Sequence, residues 1–153
     1  MRTTTMKRSS SARKLLSSIP ISPWGHWCLG QAYIRERQYL AAVPELERAS
    51  ALGATPLLIC DLGCAYAGAG KNVEARAILK TLKQKAQLAY VSHYLIATIY
   101  SALGEKNEAL KWLQSAFDRR DSHIVDMPLD PKIDPLRSDP QFLPLMQRLH
   151  LPG

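Results

Sequence analysis

Few residues in this chain have a type and spacing that could do chemistry. Cys60 and Cys64 lie four apart, on one face of a helix, with His93 downstream. Thiolate and imidazole are zinc ligands, so the three form a candidate metal set. No fourth ligand is evident, and His26, His123 and His150 fall at no metal-binding interval. Asp126, Asp130, Asp134 and Asp139 offer oxygens for calcium, but their spacing does not fit a D-x-D-x-D-G loop. Three of them stand directly before proline, where a fixed φ and a carboxylate that accepts backbone N–H groups make turns and caps. There is no glycine-rich phosphate loop, no G-x-S-x-G elbow and no supported cysteine–histidine dyad. The expectation is a protein that is not an enzyme and needs no metal or cofactor.

The elements that carry these residues are announced by a repeated phrase. Leu29-Gly30-Gln31-Ala32-Tyr33 returns as Leu62-Gly63-Cys64-Ala65-Tyr66 and again as Ile96-Ala97-Thr98-Ile99-Tyr100, at intervals of 33 and 34 residues. A period of about 34 residues is that of helix-turn-helix solenoids, whose units hide their apolar faces only by stacking. The expected pairs are helices over 24–36 and 39–52, then 56–68 and 72–85, then 90–103 and 105–119. Tyr39, Ala42, Val43, Leu46 and Ala49 give the second helix an apolar stripe, as Ala75, Ile78, Leu79 and Leu82 do the fourth. Gly53 is a candidate left-handed stop, and Pro44 predicts a late start or a kink. Ser138 or Asp139 can cap a last helix that docks Phe142, Leu143, Leu145, Met146 and Leu149 on the open end of the stack.

Charge divides the chain unevenly. The net charge is +7, of which residues 1–26 hold five basic residues and no acid, leaving +2 for the remainder. Residues 1–22, rich in Ser and Thr, are expected to be a disordered basic tail, with an organellar transit peptide as the alternative. Five charges without interleaved aromatics attract nucleic acid only weakly, so nucleic acid is disfavoured as a partner. Three cysteines without a C-x-x-C pair argue for a reducing compartment, and no apolar run approaches the roughly 18 residues of a membrane span. A cytoplasmic protein is the default. The domain plan is therefore a tail (1–22), three helical pairs (23–120, divided near 55 and 89) and a Pro/Asp-rich segment with a capping helix (121–153).

The pattern resembles the tetratricopeptide repeat (TPR). The family's bulky, Leu-Gly, Tyr, Ala, apolar, Ala positions fall on His26, Leu29, Gly30, Tyr33, Ala42, Leu46 and Ala49, and on Ile59, Leu62, Gly63, Tyr66, Ala75 and Leu79. In the third unit they fall on His93, Ile96, Ala97, Tyr100, Ala109, Leu113 and Ala116. His26 and His93 stand where Trp is typical. The segment from Asp130 to Phe142 is similar to the C-terminal end of TPR regions in bacterial transcription regulators and signalling enzymes. The resemblance implies an all-α fold, a short superhelix of three repeats with a capping helix. It implies protein–protein interaction through a concave groove; the alternative is a truncated sensory tail of such a regulator. By register the groove, and so the partner-binding surface, falls on Trp27, Gln31, Cys60, Cys64, Tyr94 and Thr98, an uncharged set. On that reading the cysteines are small groove-lining residues rather than ligands. TPR domains that clamp the carboxylate ends of chaperones carry Lys and Asn at these positions, so that activity is not implied. The partner and the oligomeric state are left open.

Overall fold

The structure, a computed structural model, describes residues 22–149. Six helices come first: α1 Pro23–Arg35, α2 Tyr39–Leu52, α3 Pro56–Gly68, α4 Asn72–Leu88, α5 His93–Ala102 and α6 Lys106–Asp118. Two 3₁₀ turns, Ser122–Asp126 and Pro131–Leu136, and a last helix, α7 Phe142–Leu149, complete the described chain. It is all-helical there, and α1 packs on α2, α3 on α4 and α5 on α6, as a TPR helical repeat does. The expected tail lies outside the described residues, apart from Ser22.

The first helix of each pair begins with a side-chain cap. Ser22, Thr55 and Ser92 accept the backbone N–H of Gly25, Leu58 and Leu95 at 3.2, 3.2 and 3.3 Å, and Pro23 and Pro56 follow two of these caps. Each pair then turns in the same way. The amides of Gln38, Lys71 and Glu105 donate to the carbonyls of Tyr33, Tyr66 and Tyr100 at 2.8, 2.8 and 3.0 Å. The residue before each of those amides is left-handed: Arg37 (φ 59°), Gly70 (φ 77°) and Gly104 (φ 78°). This is the Schellman closure, which glycine adopts freely and arginine only at a cost. The recurrent tyrosine thus marks both the wedge between helices and the carbonyl on which the turn shuts.

Close approach explains the small residues of the phrase. A Cβ on Gly30 would come within 2.5 Å of Leu46 Cγ in α2, and one on Gly63 within 2.8 Å of Ile99 Cδ1 in α5. Gly30 therefore sets the spacing inside a pair, and Gly63 the spacing between pairs. Two apolar clusters result. One gathers Tyr33, Val43, Leu46, Leu58 and Leu62 around the first pair; the other joins α3 to α6 with the C-terminal segment.

Four expectations need correction. Gly53 ends α2 in extended backbone (φ 171°), not in the left-handed region. The late start offered for Pro44 does not occur, since α2 begins at Tyr39 with Pro44 inside it; Pro44 is exposed, so the carbonyl that its missing N–H would have served can bond to water. Helix α4 runs on to Leu88, beyond the expected end at 85. In α7, Phe142 and Leu145 are buried but Leu143 points outward. Just before α7 the Asp139 carboxylate accepts the Gln141 amide at 2.9 Å.

Candidate functional site

Residues 121–136 form a strap that lies along α5 and across the concave face. It is anchored at its start by Asp121, whose carboxylate accepts from the Ser92 hydroxyl (2.7 Å) and from the backbone amides of Tyr94 (3.2 Å) and His123 (3.1 Å). Burial works against that charge, but these donors outweigh it and hold the Asp121 pKa below the usual carboxylate value. Ile124, Met127, Ile133 and Leu136 then enter the second apolar cluster, each at most 6% exposed. Each such side chain is worth about 1.5–3 kcal/mol of burial. The strap is part of the core.

Its pin is a buried ion pair. Lys132 Nζ lies 2.8 Å from Asp61 Oδ1, and the other oxygen, Oδ2, accepts from Trp27 Nε1 at 2.8 Å and Gln31 Nε2 at 2.6 Å. Asp61 is fully buried in α3, and these three donors all come from elsewhere: two from α1, one from the strap. Burial alone would lower the Lys132 pKa, but Asp61, then Cys64 and Asp130, overcome it and raise it. A neighbouring bond fixes the strap's path: Tyr94 donates its hydroxyl to Asp130 Oδ2 at 2.8 Å. Ser101 donates to the Lys132 carbonyl at 2.9 Å.

The six residues expected to line an open, uncharged groove do share this surface, yet four of them do not reach solvent. Cys60, Cys64, Tyr94 and Thr98 are at most 1% exposed, beneath or beside the strap. Cys64 donates its thiol to Thr98 Oγ1 at 3.5 Å, one repeat on. Burial pushes the Cys64 thiol up to about 12, Lys132 and Thr98 offsetting only part of it, and burial raises Cys60 well above its ordinary value too. Burial thus favours the protonated thiol at both positions. The groove is also not uncharged, since Asp61 and Lys132 lie at its centre. Only Trp27 and Gln31 of the six remain partly exposed.

The candidate metal set is not assembled. His93 sits between the helices of its own pair, its Nδ1 2.8 Å from Ser115 Oγ and its ring edge-on to Trp112 at 4.8 Å. Burial, and then Arg119, lower its pKa, which favours neutral imidazole. Three of the aspartates hold turns instead: Asp130 accepts the Lys132 amide at 2.9 Å, Asp134 pairs with Arg137 at 2.7 Å, and Asp139 accepts the Gln141 amide at 2.9 Å.

Two clefts of about 420 and 430 Å³ flank the strap. The cleft toward the start of α1 is lined by Trp27, Gln31 and Leu57 on one wall and by Val125, Asp126 and Leu129 on the other. Its apolar wall is bare where Leu129 is 91% and Val125 73% exposed, and beside Trp27 the exposed Trp24 ring lies tilted, centroids 4.6 Å apart at 57°. Sequence reasoning missed Asp61 and Lys132 as site residues. One of them carries a signal: Asp61 is the lone charge in the apolar run from Pro56 to Gly68. Its partner lies 71 residues away, beyond any local pattern.

Residues 90–123 match a family model for the tetratricopeptide repeat, which covers the third helix pair and the start of the strap. With the paired-helix architecture, that match supports a TPR protein. Repeats of this family generally mediate protein–protein interaction. Comparison with the curated proteins and with the solved structures gave no match. Among the described residues, no helix is long and apolar enough to cross a membrane.

Proposed function

We propose that this protein is a protein–protein interaction module, and that a partner peptide or helix docks in the cleft between α1 and the strap rather than along the whole concave face. The supporting observation is the bare apolar pair Val125 and Leu129 facing the partly exposed Trp27 and Gln31 across the cleft, with the exposed Trp24 beside Trp27. Exposed apolar side chains gathered around one concavity mark interaction sites, whereas single ones are ordinary. Trp27 and Gln31 would contact the partner directly. Cys60, Cys64, Tyr94 and Thr98 would act from beneath, by holding the strap that forms the second wall. Peptides selected from a random library on the full chain test this. They should lose binding to Leu129→Asp and Trp24→Ala and keep it to Leu88→Asp, an equally exposed leucine outside the cleft. Equal loss in all three variants, or in none, contradicts the reading.

A further inference from the structure

A second recess lies between α4 and the turn that joins α5 to α6, and no residue lines both it and the cleft beside α1. Its volume is about 330 Å³, and its α4 wall carries a stripe at helical spacing: Arg76, Lys80, Lys83, Gln84 and Gln87. All five are exposed. Packing does not call for cations there. The positions 33 residues before Arg76, Lys80 and Lys83 hold Val43, Glu47 and Ser50 in α2, and those 34 residues after them hold Leu110, Gln114 and Phe117 in α6. The basic stripe is peculiar to the middle pair.

Its donors are held ready. Lys83 Nζ donates to the Tyr100 hydroxyl at 3.2 Å and lies 5.8 Å from the ring centroids of both Tyr100 and Trp112, which steadies an otherwise flexible side chain. The Tyr100 oxygen accepts that bond and keeps its own proton to donate. The carboxylate of the recess, Glu105, pairs with Arg76, and Glu108 on α6 is bonded to Lys111 at 2.7 Å. Among the described residues, no ion pair engages Lys80 or Lys83. We propose that this recess binds an acidic segment of a protein partner, with its carboxylates on Lys80, Lys83 and the Tyr100 hydroxyl. From Arg76 to Gln87 the wall runs about 16 Å at 1.5 Å per residue, room for about five extended residues. Gln84 and Gln87 can each donate and accept, which suits a peptide backbone, whereas a nucleic-acid backbone offers acceptors alone. Among the described residues that line the recess, no ring is open to a stacked base, since Tyr100 is 7% exposed. The surface is separate from the docking cleft beside α1, so the two proposals can fail separately.

Fluorescein-labelled hexaglutamate, titrated with the full chain and read by anisotropy, is the probe. It should bind at low ionic strength and weaken as salt rises, while equally labelled hexaglutamine does not bind. Lys80→Glu/Lys83→Glu should weaken binding about tenfold, and Tyr100→Phe, which keeps the ring and removes the donor, about two- to threefold. Arg48→Glu/Lys85→Glu makes the same change in net charge outside the recess and should leave most of the affinity. Equal loss in the two charge-reversed pairs, or hexaglutamate that does not bind, overturns the proposal. A single-stranded oligothymidylate of matching charge that binds more tightly than hexaglutamate also overturns it, in favour of a phosphate backbone as the ligand.

Discussion

The two ends of the concave face are built from the same register positions and meet opposite fates. Trp27 and Gln31 in the first repeat stay partly open, whereas Tyr94 and Thr98, two repeats later, are sealed. The difference lies in the segment that packs over each pair rather than in the pairs themselves. After α6 the chain turns back at Arg120, left-handed at φ 52°, and lays Ile124, Met127, Ile133 and Leu136 onto α5 and its neighbours. Among the described residues, no comparable segment is laid over α1. A groove in a repeat protein is therefore a surface that the rest of the chain can withdraw from use, and here it withdraws the larger part.

The sharpest way to break this contrast is to remove its pin. Lys132→Met leaves the Asp61 charge buried with only Trp27 and Gln31 as donors, and should cost about 3–5 kcal/mol in denaturant unfolding. Asp61→Leu/Lys132→Met removes both charges and should recover most of the loss. A double variant as unstable as the sum of its singles would show that the pair does not act as a unit.

Alkali should attack the same region. Lys132, Cys60, Cys64 and Tyr94 all have raised folded-state pKa values, so their contribution is complete below the unfolded-state values of about 8.5 for Cys, 10 for Tyr and 10.4 for Lys. It is lost as pH rises through the folded-state values. The urea midpoint should fall from about pH 8.5 upward, and a flat or rising midpoint would contradict the assignment.

Gly63→Leu probes packing between the second and third pairs, where a Cβ would already crowd Ile99 and Ile78. It should cost about 1–3 kcal/mol by overpacking, read as a lower melting temperature. The smallest effect belongs to the open end. Arg37→Gly relieves a left-handed arginine where the other two repeats use glycine, and should stabilise by about 0.5–1 kcal/mol. A loss of stability would mean that the exposed Arg37–Asp134 pair, at 3.8 Å, matters more than the backbone.

Much of the fold could be read because it is local. The helix ranges, the apolar stripes of α2 and α4 and the 33–34-residue beat each follow from residues within one helix or one repeat. The site was less legible because it depends on contacts between distant segments. Register placed Trp27, Gln31, Cys60, Cys64, Tyr94 and Thr98 on one surface, but not the segment that covers that surface. The Asp-Pro steps of 130–140 announced turns without saying that those turns would carry Ile133 and Leu136 into the groove. The Asp61–Lys132 pair has no local signature on the Lys132 side.

The central claim is that the chain fills its own groove, and its three cysteines test it directly. Cys28 is exposed on α1, while Cys60 and Cys64 lie buried in the groove. Under native conditions at neutral pH a thiol reagent should modify one cysteine rapidly, Cys28 by peptide mapping, and reach the other two only as the protein unfolds. Three thiols reacting at one rate in the folded protein would mean that the groove is open, and the account would be wrong.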